Sequence, residues 1–148
     1  SRGDPSPRNV RRYGAWPRSG EIDLMENVGW EPGVIRASVH TEKNHRRRGN
    51  HNRRVSGVRD AHDAFHVYAC EWAPDELRFF VDDRKFYTYK NERKGPEQWP
   101  FDKAFHVILN VAVGGTWAAR RGVDDSAFPA AMEVAFVKVF QRGGGGAA

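Results

Sequence analysis

Three carboxylates fall within six residues, Glu21-Ile22-Asp23-Leu24-Met25-Glu26, in a stretch that alternates apolar and polar side chains in the manner of a β-strand. On a regular strand successive side chains alternate faces, so Glu21 and Asp23 share one face and Glu26 takes the other. One residue bulged out at Leu24-Met25 reverses that parity and returns Glu26 to its companions. Bulges of this kind recur beside active sites because they re-aim a side chain. The two Glu backbones then lie about 13 Å apart, four effective positions at about 3.3 Å each. Inward-leaning side chains bring the carboxyls toward the roughly 5–5.5 Å at which a pair of acids cleaves a glycosidic bond with retention. In that chemistry one carboxylate attacks the anomeric carbon while the other holds a proton for the leaving oxygen. A central Asp hydrogen-bonds the nucleophile, and like-charge proximity raises its neighbour's pKa, which keeps Glu26 protonated. An acidic strand face with no chemistry shows the same spacing, so the motif needs its surroundings.

Those surroundings are short strands and turns. Residues 1–19 carry Arg, Pro and Gly with no apolar period and read as an irregular arm. GEIDLMENVGW and VIRASVHTE alternate as two strands, broken at Gly29, Pro32 and Gly33. Lys43 to Gly57 is strongly basic and nearly free of apolar residues, which reads as a solvated loop. Strand patterning returns in FHVYACEW, ELRFFV and RKFYTY, the last two joined as a hairpin at Asp82-Asp83, where Asp83 in place of Gly points to a strained or longer turn. AFHVILNVAVGG is a continuous apolar strand and AMEVAFVKVFQ an alternating one, and GGGGAA follows as a linker or tail. No helical stripe exceeds a turn or two, so the class is all-β, a sandwich.

The 148 residues amount to one domain, able to bury about two-thirds of the unfolded surface. Aromatics at 12% and a mean hydropathy of −0.74 exclude a disordered tail and a membrane-spanning protein. The N-terminal SRGDPSPRNVRR has no apolar centre of a signal peptide. A single Cys70 rules out an intrachain disulfide and a CxxC metal motif. Net charge +5 suits an anionic partner, and Lys43, Arg46, Arg47, Arg48, Arg53, Arg54, Arg8, Arg11 and Arg12 are the residues a nucleic acid would use. No nucleic-acid motif accompanies them, and the expectation is no nucleic acid and no membrane.

Trp16-Pro17-Arg18-Ser19-Gly20 leading into the acidic strand and Asn27-Val28-Gly29 closes a segment that resembles the catalytic signature of glycoside hydrolase family 16, the laminarinase-like β-glucanases. Further blocks resemble that family in order: Val39-His40-Thr41, Tyr68 to Asp75, Phe80-Val81-Asp82, Trp99 to Asp102, Ile108 to Gly115 and Asp124 to Pro129. The resemblance covers residues 13–141. It implies a β-jelly roll of two curved antiparallel sheets, with residues 1–142 a partial catalytic domain, 143–148 a Gly-rich tail, and retaining endo-cleavage of a β-glucan in a concave groove. By resemblance Glu21 is the nucleophile, Glu26 the general acid/base and Asp23 the residue that tunes them. The extra residue Met25 is similar to the bulged laminarinase type, which favours β-1,3-glucan. Trp16, His40, Asn110 and Trp117 resemble groove residues, whereas Trp72 and Trp99 are assigned to filling the core.

The resemblance also implies an extracellular or periplasmic setting, a polysaccharide partner and no cofactor. Relatives place a calcium-binding Asp in the final strand where this chain has Ala135, which argues against that ion here. The family's upstream strands are absent from this sequence, so the expectation is a C-terminal portion of a longer domain whose missing strands complete the groove. Two alternatives stand beside catalysis of neutral glucan: a carbohydrate-binding fragment without chemistry, and, from the basic loop, a preference for a sulfated polymer such as the galactans on which some family members act.

Overall fold

A computed structural model describes residues 13–141; most of the arm and the Gly-rich tail lie outside the described residues. Six strands form two antiparallel meanders. The first sheet joins β1 (Glu21–Glu26), β2 (Val34–His40) and β3 (Asn52–Gly57) in that order, and the second joins β4 (Tyr68–Trp72), β5 (Glu76–Val81) and β6 (Arg84–Lys90). Short 3₁₀ turns occur at Arg46–Arg48 and Asp125–Ala127.

The sheets face each other through alternation. Ile35, Ala37 and Val39 of β2 are completely buried on one face, and Leu77, Phe79 and Val81 of β5 come to meet them with Tyr87 and Tyr89 of β6. Trp99 and Phe101 close the same core edge to face at 5.2 Å, so Trp99 fills the core as expected. Trp72 does so only in part: it is half exposed, and its indole N–H donates to the Phe101 carbonyl at 2.9 Å. Leaving the core, β2 presents Arg36, Ser38 and His40 on its other face, and all three are buried as well. That second buried face carries the site.

Three expectations need correction. The basic stretch is not all loop, because Asn52–Gly57 pairs along β2 from Val34↔Gly57 to Val39↔Asn52. An inner strand as apolar as β2 demands ladder partners on both edges, and β3 meets that demand while its Arg53 and Arg54 side chains stay in solvent. At the β5–β6 hairpin the positive φ falls on Asp82 (φ 52) rather than Asp83, and Val81 pairs directly with Arg84, a tight two-residue turn. Its Oδ1 accepts the Val67 N–H at 3.0 Å, a long-range bond that ties the turn to the entry of β4. Finally, 104–113 and 131–141 are assigned to no strand. Phe105 packs against Trp72 and Phe101, but beyond it the large apolar side chains stand in solvent, with Ile108 71% and Phe140 86% exposed, and no described segment offers them a ladder edge. No helix among the described residues is long and apolar enough to cross a membrane.

Candidate active site

The β1–β2 ladder runs Glu21↔His40, Ile22↔Val39, Asp23↔Ser38 and then Glu26↔Arg36. Three steps on β1 match two on β2, so one extra residue sits at Leu24-Met25 and the parity of the strand flips there. Glu21, Asp23 and Glu26 consequently share the face of His40, Ser38 and Arg36, while Ile22 and Met25 turn into the core. Gly20 sets the approach to this strand. It holds φ +81, and a Cβ there would meet Pro100 Cγ at 2.8 Å and Phe105 Cζ at 3.0 Å. Only glycine allows the chain to deliver Glu21 so close to the core wall.

Glu21 has a partner of its own, while Asp23 and Glu26 share one. Glu21 accepts the indole N–H of Trp16 in a short hydrogen bond. Ser38 Oγ lies 2.7 Å from Asp23 Oδ2 and 2.8 Å from Glu26 Oε2. Burial, and then the charges of Glu21 and Glu26, push the Asp23 carboxyl up to about 8, against a lowering by its bond to Ser38. Glu26 is also raised, first by burial, with the Ser38 bond and the Arg36 and Arg46 guanidiniums opposing the rise. Asp23 is therefore largely neutral at neutral pH, and burial moves Glu26 in the same direction.

Around the acids the predicted binding residues divide. His40 Nε2 faces Asp23 Oδ2 at 3.4 Å, and burial lowers its pKa first of all. Trp16 stands at the Glu21 end, 5.8 Å from the His40 ring and 5.5 Å from His45, with the Arg46 and Arg47 guanidiniums 5.6 and 5.0 Å from its centroid. Trp117 reaches the Glu26 end, where the Arg36 guanidinium lies 5.3 Å over its ring. Asn110 is exposed on the 104–113 segment and makes no hydrogen bond to the acids. Sequence reasoning missed Ser38, Arg36, His45 and His51, whose ring stacks on His40 at 5.0 Å. The signal for the first two was present, since 36, 38 and 40 alternate onto the face that holds Glu21's partner.

Glu21, Asp23 and His40 each bring one ligand-type atom within 4.8 Å of the others. The donor chemistry opposes a cation. His40 Nδ1 accepts the Arg46 backbone N–H at 3.3 Å, which assigns the ring proton to Nε2, the atom turned toward Asp23. An imidazole so arranged offers no lone pair there. For calcium, Ala135 supplies no side-chain oxygen and stands exposed on a segment without ladder partners, so the carboxylate that ion would take from this position is missing.

Residues 11–131 match the family described as glycosyl hydrolases family 16. The chain is 46% identical over 136 residues to a β-glucanase of Rhodothermus marinus, covering 87% of this chain and 48% of that protein. Among solved structures, the laminarinase from Rhodothermus marinus matches with a TM-score of 0.78 at 45% identity, over 80% of this chain and 50% of the other. A laminarinase from a Flavobacterium species matches with a TM-score of 0.73 at 38% identity, over 81% of this chain and 50% of that one. The chain thus spans about half the length of the relatives it matches, and the two facing sheets are part of their jelly roll. The ordered blocks, the bulged acidic strand and these matches agree: the chain belongs to glycosyl hydrolase family 16.

Proposed function

We propose that this chain carries the catalytic face of a retaining endo-β-1,3-glucanase. The carrying observation is the one-residue register shift between Asp23 and Glu26, which brings three carboxyls to one face of β1 with Ser38 joining two of them. Glu21, held by the Trp16 indole N–H, attacks the anomeric carbon, and Glu26 gives its proton to the departing glycosidic oxygen. Water then breaks the glycosyl–Glu21 ester, and Glu26 takes the proton from that water. Neutral Asp23 lies between the two and limits the charge repulsion among the three. Trp16 and Trp117, at opposite ends of the acidic strand, supply flat faces for the apolar C–H surface of pyranose rings.

The names of the relatives, laminarinases and a β-glucanase, support β-1,3-glucan as the substrate. A polymer of that size does not cross a membrane, which supports an extracellular or periplasmic place of action. The test is reducing-sugar release from laminarin by the full chain, by Glu21→Ser and by Glu26→Gln. Release by the wild type that falls roughly a thousandfold in both variants supports the proposal. Binding of laminarin without release in all three identifies a carbohydrate-binding fragment instead.

A further inference from the structure

Ser38 stands opposite Asp23 in the ladder, and it is completely buried. Its hydroxyl owns a single hydrogen and can donate to only one partner at a time. Yet it makes two contacts of nearly equal length, 2.7 Å to Asp23 and 2.8 Å to Glu26, both to carboxyl oxygens. Whichever carboxyl does not receive the serine hydrogen must itself be protonated and donate to Ser38 Oγ. Two ionised carboxylates are incompatible with this pair of contacts.

We propose that Ser38 is a positioning residue that couples Glu26 to a neutral Asp23 by turning its one hydrogen onto Glu26 whenever that carboxyl ionises. This rests on the reading of Glu26 as general acid/base. When Glu26 passes its proton to the glycosidic oxygen, the Ser38 O–H turns from Asp23 to the new carboxylate, and the Asp23 carboxyl, protonated before and after, turns its own hydrogen to Ser38 Oγ. No proton leaves serine, and the only covalent O–H bond broken is that of Glu26. When Glu26 later takes a proton from the attacking water, the serine hydrogen is free to turn back.

The groups facing Glu26 are consistent with this division of labour. Glu21 on β1 opposes its ionisation, while Arg36 on β2 and Arg46 in the following 3₁₀ turn favour it. On the Asp23 side Glu21, which also shares a hydrogen bond with it, Glu26 and His40 are the neighbours. Arg36 is itself engaged by Glu31, and its guanidinium lies over Trp117, so its charge is shared. Ser38 is a neutral donor that touches both acids, and its bond lowers the pKa of whichever one receives it.

The experiment compares the full chain with Ser38→Ala and Ser38→Thr. Glu26 is followed by 13C NMR of glutamate-labelled protein, its signal assigned with Glu26→Gln. Loss of the hydroxyl is expected to raise the Glu26 midpoint by about half to one unit, and threonine, which keeps it, to hold the midpoint within about 0.2 unit. In laminarin hydrolysis Ser38→Ala is expected to lower kcat about tenfold with KM within about twofold, and to displace the alkaline limb of the pH profile upward. Threonine restores both. Should the alanine variant not fold, Ser38→Cys, with only a weak S–H donor, must show the rise. An unchanged Glu26 midpoint, or a threonine variant shifted as far as alanine, overturns the inference. If the midpoints shift as expected while no variant nor the wild type releases sugar, the coupling stands and the catalytic reading alone fails.

Discussion

The two sheets hold the same acids in opposite electrical states. On β1 Asp23 is driven up to about 8 and Glu26 is raised, in both cases first by burial. On the second sheet Asp82 is held low by the His66 ring and the Val67 N–H, and Glu76 is held low by the Arg78 guanidinium. The difference lies in donors, not in residue type. Three acids on β1 crowd one face and two of them share one hydroxyl, whereas Asp82 and Glu76 keep access to water and each pairs with a basic side chain, His66 or Arg78, that also reaches a second acid. The first arrangement costs stability and creates a poised proton; the second contributes modestly to stability and creates nothing reactive. A protein tolerates the first where the chemistry demands it and the second almost anywhere.

Breaking the acidic face gives the largest expected effect. On the proposed role of Glu26 as general acid, Glu26→Gln removes the proton to be transferred and is expected to cut laminarin hydrolysis by roughly a thousandfold with little change in melting temperature, read by reducing-sugar assay and calorimetry. Next comes the scaffold of that face. Gly20→Ala forces a Cβ into Pro100 at a backbone angle that L-residues avoid, and is expected to destabilise the chain by about 2–3 kcal/mol in denaturant titration.

Asp23→Asn turns the comparison into a pH experiment. The native carboxyl is raised from 3.8 to about 8, so the unfolded chain binds fewer protons than the folded one across that interval, and stability falls as pH rises through it. Asparagine keeps the shape without the charge. It is expected to melt roughly 5 °C higher than wild type at pH 8, with the gap closing below about pH 4, while activity falls about tenfold or more. A gap that widens toward acid pH would show that Asp23 is ionised in the folded protein. Asp82→Asn, on the other sheet, must behave in the opposite way. The Asp82 share of stability is present above its unfolded value and lost as pH falls through its lowered folded value; the His66 share is present at low pH and lost as pH rises through its raised value. The variant, which keeps a residue tolerant of φ 52, is expected to melt about 1–2 °C lower near pH 5–6 and to approach wild type near pH 9.

The acidic face was legible because side-chain parity is arithmetic: three acids in six residues with one extra position can share a face only through a bulge, and the ladder has it between Asp23 and Glu26. The same arithmetic applied to β2 reaches Ser38 and Arg36 from His40. What escaped was set by neighbours rather than by local pattern. The cation-rich Asn52–Gly57 reads as loop, yet β2 recruits it as a strand. In the other direction, Ala104 to Val113 reads as a buried strand and forms no ladder, with Leu109 55% exposed. Alternation and apolarity state that a surface must be covered; they do not supply the edge that covers it, since every ladder bond belongs to two strands. Asn110 on that segment shows the consequence for the site, because it stands exposed and makes no hydrogen bond to the acids.

The smallest expected effect tests whether the second sheet's ion pairs are as dispensable as the comparison implies. Arg78 bridges Glu76 on its own strand and Glu71 at 2.9 Å on β4, and both of its carboxylate partners keep access to water. Solvent and salt screen such a pair, and holding two long side chains in one geometry consumes rotamer entropy. Glu76→Gln is therefore expected to move the melting temperature by less than about 1 °C, with the difference gone in about 0.5 M salt. A larger loss that survives salt would mean that Arg78, left with Glu71 alone, was also holding the register of β4 on β5, from Tyr68↔Val81 to Trp72↔Leu77. Those pairs carry Leu77 and Val81 into the core beneath β2, so the supporting sheet would then share the electrostatic burden of the acidic face instead of merely backing it.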